Sequence, residues 1–357
     1  IPQLSAWLRV LSASSRLVLF DKRGTGLSDN VNEQQLPDIQ QRAEDLKIIM
    51  GAIGIERANF IGLSEGGPLA IYLAANDPDM VHKLILIGSF PKWIKTDDYP
   101  YGLTREQHER TKKYLFENWG QPVGLHLMAP SVKDNEMAQT QWARFLRRSA
   151  SPGTAKVFYA MNIEIDIRHY LESITVPTLI MHRKEDALIA AGHSRYLHEK
   201  IAGSQLILSE GKDHLPWFGV KRNEIIAILT FLHNGKAVYD SDLDILTIED
   251  IFTLHSIKEY IQNNLQATIS IRMLTRKFGI NEYKVKKGFR LLFNTPVIAY
   301  LSDMRLETAK ELIANPNASI VSVSEQVGYA HPNNFSVAFK RKFGLSPLKY
   351  RATLIKN

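Results

Sequence analysis

Cysteine is absent from all 357 residues. That excludes a disulfide framework and any thiolate metal site, and it is compatible with a reducing cytoplasm. Long apolar runs are missing as well: none approaches the roughly 20 residues a membrane span needs, and no signal peptide is visible. There is no Walker sequence, no dinucleotide fingerprint and no low-complexity tract, and the 11 histidines show no metal-ligand spacing. The expectation is therefore a chain without membrane, metal or cofactor. Acidic residues are scarce in one region only. From Ser256 onward 6 Asp+Glu face 16 Lys+Arg, a balance of +10, which leaves 31 against 28, or −3, for the rest. A basic footprint confined to one end is what binding to phosphates requires.

Hydrophobic residues make up 45% and charged residues 23%, an ordinary globular balance. A chain of this length exceeds a single core of usual size, so two domains are expected.

The basic end has a duplicated pattern. Val321, Val323 and Val327 form one helix face, Gly328 permits a tight turn, and His331-Pro332 reads as N-cap and first helical residue. Phe335, Phe339 and Phe343 then recur at i, i+4, i+8 and define a buried stripe. Upstream, Gly279 with Val285, Phe289 and Phe293 repeats the arrangement, Thr275 matching Ser324. An amphipathic helix, 297–314, joins the two copies and ends at Asn315-Pro316. These residues, GYAHPNNFSVAFKRKFGLSPLKYR above all, closely resemble the DNA-binding domain of the AraC/XylS family of bacterial transcription regulators. The resemblance covers about the last hundred residues. It implies that Tyr283, Lys286, Lys287 and Arg290 face one groove segment, and Pro332, Asn333, Ser336 and Val337 the next. Lys340, Arg341 and Lys342 are placed for phosphates, which fix register without reading sequence. Many family members carry arginine where Val337 stands, so the first helix should carry more of the specificity here.

The first two thirds alternate differently. A helix at 2–13 and a buried strand at 16–20 precede Asp21-Lys-Arg-Gly-Thr-Gly-Leu-Ser28. A helix at 39–53 follows, then strands at 58–61 and 83–87 with a helix at 68–75 between them. Further strands are expected at 177–181 and 205–208, with a closing helix at 223–232; the helix at 248–265 enters the DNA-binding domain. Helices alternating with short apolar strands indicate a doubly wound parallel sheet. Pro91 to Tyr170 breaks the alternation as a helical, aromatic-rich cap. Gly62-Leu63-Ser64-Glu65-Gly66 between strand and helix is a nucleophile elbow, a turn so tight that Gly62 and Gly66 must lack side chains. With the upstream Asp21–Ser28 segment it resembles the α/β-hydrolase fold. That resemblance implies Ser64 as nucleophile, His214 as base, Asp186 as its orienter, and the Glu65 N–H as an oxyanion donor. The fold normally begins with further strands, so residues 1–236 read as a hydrolase-like domain lacking its first strands.

The resulting expectation is α/β plus all-α: a hydrolase-like domain at 1–236 with its cap at about 91–170, a linker at 237–247, and a tandem helix-turn-helix at 248–357. The combination reads as a cytoplasmic, nucleoid-associated regulator whose pocket takes a small molecule and whose tail takes double-stranded DNA, with RNA polymerase as a further partner. The alternative is a serine hydrolase of esters or amides that carries a regulatory DNA-binding tail.

Overall fold

The computed structural model describes residues 1–12, 14–29, 37–235, 246, 248–315 and 318–355. Apart from Leu246, the expected linker 237–247 lies outside them, as do Ala13 and Pro316. Two compact units form, one of Leu8–Val238 with Ile1 and one of Tyr239–Asn357 with Pro2–Trp7.

The chain begins with α1 (Pro2–Ser12), α2 (Ile39–Ala52), β1 (Ala58–Leu63), α3 (Gly66–Asn76) and β2 (Val81–Ile87). The cap contributes α4 (Arg105–Glu117), α5 (Leu125–Met128), α6 (Glu136–Ser149) and α7 (Pro152–Met161). The sheet then resumes with β3 (Thr178–Arg183), α8 (Gly192–Lys200), β4 (Gln205–Ser209) and α9 (Arg222–Leu232). The four strands lie in the order β1-β2-β3-β4, every pair parallel. β3 is buried along its whole length and β2 everywhere but His82, so both faces of these central strands are covered. Ile71, Leu73 and Ala74 of α3 meet Leu84, Leu86, Ile180, Leu197 and Ile201 in one core. α2 is started by a capping box in which Asp38 accepts the Gln41 amide at 2.8 Å and Gln41 reaches back to the Asp38 amide at 3.2 Å.

The strand expected at 16–20 does not form. The segment joins no ladder, and Leu19 and Phe20 are 63% and 43% exposed. An apolar run becomes a strand only beside a neighbour that takes its backbone bonds, and no described strand lies next to it. The cap is helical as expected, and its aromatics largely pack against one another: Trp93, Tyr99, Trp142 and Phe158 are buried, whereas Tyr101 and Tyr114 reach the surface.

The second unit is all helical. α10 (Ile248–Asn263), α11 (Ile271–Phe278) and α12 (Glu282–Phe293) make the first repeat, α13 (Val297–Ile313) connects, and α14 (Ile320–Gln326), α15 (Pro332–Phe343) and α16 (Pro347–Ile355) make the second. Both turns use left-handed glycines, Gly279 at φ 67 and Gly328 at φ 83. A side chain at Gly328 would sit 2.3 Å from the Leu265 carbonyl oxygen, so this position needs the close approach as well as the φ. Leu306, Ala309 and Ile313 of α13 pack with Val323, Val327, Phe335 and Phe339. That is the stripe the spacing predicts.

Candidate functional site

Ser64 follows β1 directly and adopts φ 52, a left-handed conformation rare for a residue with a side chain. Its amide donates to the Ile87 carbonyl at 2.9 Å, and its own carbonyl accepts the Gly67 amide at 3.0 Å. Holding such a residue costs of order 1–3 kcal/mol and persists only where the surroundings dictate it. Two glycines dictate it here. A Cβ on Gly62 would lie 2.7 Å from the Gly67 Cα, and one on Gly67 would lie 1.7 Å from Ser89 Oγ. Gly66, expected to be indispensable, has open space around its Cα; the close packing falls one residue later. Glu65 stands at the N-cap of α3, where the first amides have no intrahelical acceptor and the helix dipole favours negative charge.

β3 and β4 deliver the other two candidates at the carboxyl edge of the sheet. His214 Nδ1 lies 2.8 Å from Asp186 Oδ2, and both side chains are almost wholly buried. Asp186 Oδ1 accepts the Leu188 and Ile189 amides at 2.9 Å each. Burial by itself would raise this carboxyl. The nearby His182 N–H, the His214 hydrogen bond and the Ile189 amide outweigh it and hold the group well below the usual carboxylate range. Since a carboxylate can only accept, Nδ1 of His214 carries the proton. His214 Nε2 is buried without a hydrogen-bond partner, so a basic nitrogen is left available. Gly88, at φ 55, makes room for the ring: a side chain there would lie 3.0 Å from His214 Cε1.

Sequence reasoning passed over the groups that hold this loop. Arg183 ends β3 and donates to the carbonyls of Asp213 at 3.0 Å and Phe218 at 2.7 Å. On the cap side, the His214 and Leu215 amides both donate to the Met128 carbonyl at 3.0 Å, and Asp213 accepts the Ser131 amide at 2.8 Å. The legible signal was a lone arginine in a strand otherwise free of strong charge. A cavity of about 540 Å³ opens beside the elbow, with Leu63, Glu65, Leu69 and Phe158 on its wall together with Lys22 and Arg42. Lys22 pairs with the Glu65 carboxylate and sits over the Phe158 ring at 4.6 Å. Among the described residues no cluster of three or more His, Asp or Glu side chains could hold a metal ion.

In the helical unit, Tyr283 and Val337 are 59% and 69% exposed. Lys286, Arg290, Asn333, Lys340 and Arg341 are also exposed, while Lys287, Pro332, Ser336 and Lys342 are half-buried. Lys286 forms an ion pair with Glu282 one turn back. Among the described residues, Lys342 has acidic neighbours that Lys340 and Arg341 lack. Its ammonium lies 3.0 Å from Asp303 and 3.1 Å from Glu307 on α13.

A parallel sheet with a serine on a strained strand-to-helix turn and an Asp–His pair at the strand ends defines an α/β-hydrolase-fold protein. Residues 5–218 match the alpha/beta hydrolase fold family, and the chain belongs to that family. Residues 274–353 match a helix-turn-helix domain. The AB hydrolase superfamily protein YisY of Bacillus subtilis (strain 168) is 30% identical over 219 residues, 59% of this chain and 80% of its own length. The Karrikin insensitive 2 receptor B of Petunia hybrida is 26% identical over 205 residues, 56% of this chain and 74% of its own. Among solved structures, the esterase EaEST from Exiguobacterium antarcticum superposes with a TM-score of 0.57 at 26% identity, covering 65% of this chain and 87% of that one.

Proposed function

We propose that the chain is a serine hydrolase of carboxylic esters or small amides, joined to a helix-turn-helix tail that binds double-stranded DNA. The observation that carries the first half is the His214 ring: one nitrogen is fixed on a buried carboxylate, and the other is buried and unpartnered. In the reaction, Ser64 Oγ adds to the acyl carbon while its proton passes to His214 Nε2. Nε2 then returns that proton to the leaving alcohol or amine, and water releases the acyl group by the same route. Asp186 stays ionised throughout, as its lowered pKa favours. The Glu65 amide, at the start of α3, is the oxyanion donor. Relatives named as an esterase and as a receptor share the fold, which suits a pocket for a small ester-like molecule.

The duplicated helix-turn-helix supports the finer reading of the tail as an AraC/XylS-type reader, with Tyr283, Lys286, Lys287, Arg290, Pro332, Asn333, Ser336 and Val337 toward the bases and Lys340 and Arg341 toward phosphates. RNA polymerase would be a partner of such a regulator. A second reading keeps the same site as a sensor that binds without turnover. Turnover of a panel of nitrophenyl esters and lactones, abolished in Ser64→Ala and His214→Ala, tests the enzyme. Binding of the same compounds by Ser64→Ala, with no hydrolysis by the wild type, would select the sensor.

A further inference from the structure

Close to the same Asp186 oxygen that His214 meets lies a second imidazole that the proposed reaction does not use. His182 is the fifth residue of β3 and is buried. Its Nε2 lies 2.8 Å from the Ile189 carbonyl oxygen, its Nδ1 2.7 Å from Ser194 Oγ. A carbonyl oxygen can only accept, so the proton of the neutral ring is on Nε2, and Nδ1 accepts the Ser194 hydroxyl. The same Nε2 edge faces Asp186 Oδ2 at 3.4 Å. This is long for a full hydrogen bond, but in so buried a site the partial positive charge of an N–H still acts on a carboxylate.

We propose that His182 is a positioning residue for the Asp186–His214 pair: its Nε2–H fixes the orientation and limits the basicity of the oxygen that receives His214 Nδ1–H. This deepens the hydrolase reading and rests on it. Both ring nitrogens of His182 are engaged by groups other than Asp186, so the imidazole stands in place on its own. It can therefore orient the carboxylate without being oriented by it. Oδ1 is tied to two backbone amides and Oδ2 lies between two imidazoles, so rotation of the carboxylate would break contacts on both oxygens. A simple core histidine needs only the Ser194 and Ile189 bonds, and facing the acceptor of the His214 bond adds nothing to that role.

Other charged and titratable groups packed about the pair have separate partners. His193 on α8 is bonded at Nδ1 to the Tyr99 hydroxyl at 2.6 Å. Burial, reinforced by nearby His182, brings His193 down to about 4. Asp213 is tied to Ser131, and Arg183 and Glu224 pair behind the loop.

The test compares wild type, His182→Phe and His182→Gln, since the glutamine amide can return an N–H near the Nε2 position. Two readouts are taken: the pH profiles of kcat and kcat/KM on an activated ester, and the His214 titration followed by 15N-histidine NMR in the resting protein. Without the His182 N–H, Oδ2 becomes more basic and pulls harder on the His214 proton. His182→Phe should then raise the His214 titration and the acid limb by about half a unit or more. It should also lower kcat about tenfold at unchanged KM, with His182→Gln recovering most of both. A folded His182→Phe protein with the wild-type profile and titration overturns the proposal. If phenylalanine is not tolerated, the wild type alone decides: a His182 ring protonated on Nδ1 rather than Nε2 overturns it too. A His214 titration that moves with His182 in a protein that turns over no ester supports the positioning role and removes the hydrolase reading.

Discussion

Arg183 and Glu224 form a buried two-point ion pair, Nε to Oε1 at 3.2 Å and Nη2 to Oε2 at 3.0 Å. The same guanidinium binds carbonyls of the loop that presents His214. Removing one partner of a buried pair strands the other charge. Glu224→Gln or Arg183→Met should each cost about 3–5 kcal/mol, read as a lower urea midpoint. The double change Arg183→Met/Glu224→Met should be less damaging than the two losses added together. Strict additivity would show that the pair is not coupled.

His193 links stability to pH. Its folded value, about 4, lies below the ordinary histidine value of about 6.5. Between those limits the unfolded chain binds the extra proton, so stability rises with pH across this window and is lost as pH falls through it. The full effect would be about 3 kcal/mol. His193→Gln can keep an acceptor for the Tyr99 hydroxyl and cannot titrate. Its unfolding free energy should be flatter than the wild type's from pH 6.5 to 4, and a parallel dependence in both proteins would count against His193.

The elbow gives a contrast between adjacent glycines. Gly66 lies in α3 with open space at its Cα, so Gly66→Ala should be neutral or stabilise by up to about 1 kcal/mol through helix propensity. Gly67→Ala would drive a methyl into Ser89, and Gly62→Ala into the Gly67 backbone. Both should lower the melting temperature clearly and reduce ester turnover more than Gly66→Ala does. Equal effects at Gly66 and Gly67 would refute this account of the turn.

Much of this was readable from the residues. The sheet strands after 58, the cap, the left-handed turns at Gly279 and Gly328, and the phenylalanine stripe are local patterns with a fixed period or a fixed backbone demand. Asp186 and His214 could be proposed because they follow strands at the positions where the resemblance to the hydrolase fold implies its acid and base. The failures share one cause, which is partners distant in sequence. Residues 16–20 have strand composition but no neighbouring strand among the described residues. Which of Gly66 and Gly67 is crowded depends on Ser89, from the loop that follows β2. The roles of Arg183 and His182 rest on contacts with the loops at 213–219 and 186–189. Lys340, Arg341 and Lys342 read alike in the sequence, and packing of α15 near α13 gives Lys342 alone two carboxylate neighbours.

That difference among the three basic residues makes the proposed DNA interface testable. A cation that releases counterions from the duplex contributes about one unit of salt slope. Lys340 and Arg341 are exposed on the last turn of α15. Lys340→Ala and Arg341→Ala should therefore each weaken binding to all duplexes and lower the slope of log K against log salt by about 1. Lys342 is held between Asp303 and Glu307, and swinging it to a phosphate would leave both carboxylates unpaired. Lys342→Ala should leave the slope nearly unchanged and show instead as a small loss of thermal stability. Arg290→Ala, on the exposed face of α12, should behave differently again. If it reads a base edge it should cost about 1–3 kcal/mol on a duplex selected from a random pool and little on unrelated sequence. Fluorescence anisotropy with the full chain at several salt concentrations measures all of these together. A Lys342→Ala slope change as large as that of Arg341→Ala would mean that its carboxylate pairs break on binding. Unchanged slopes in all three lysine and arginine variants of α15 would rule this face out as the phosphate contact.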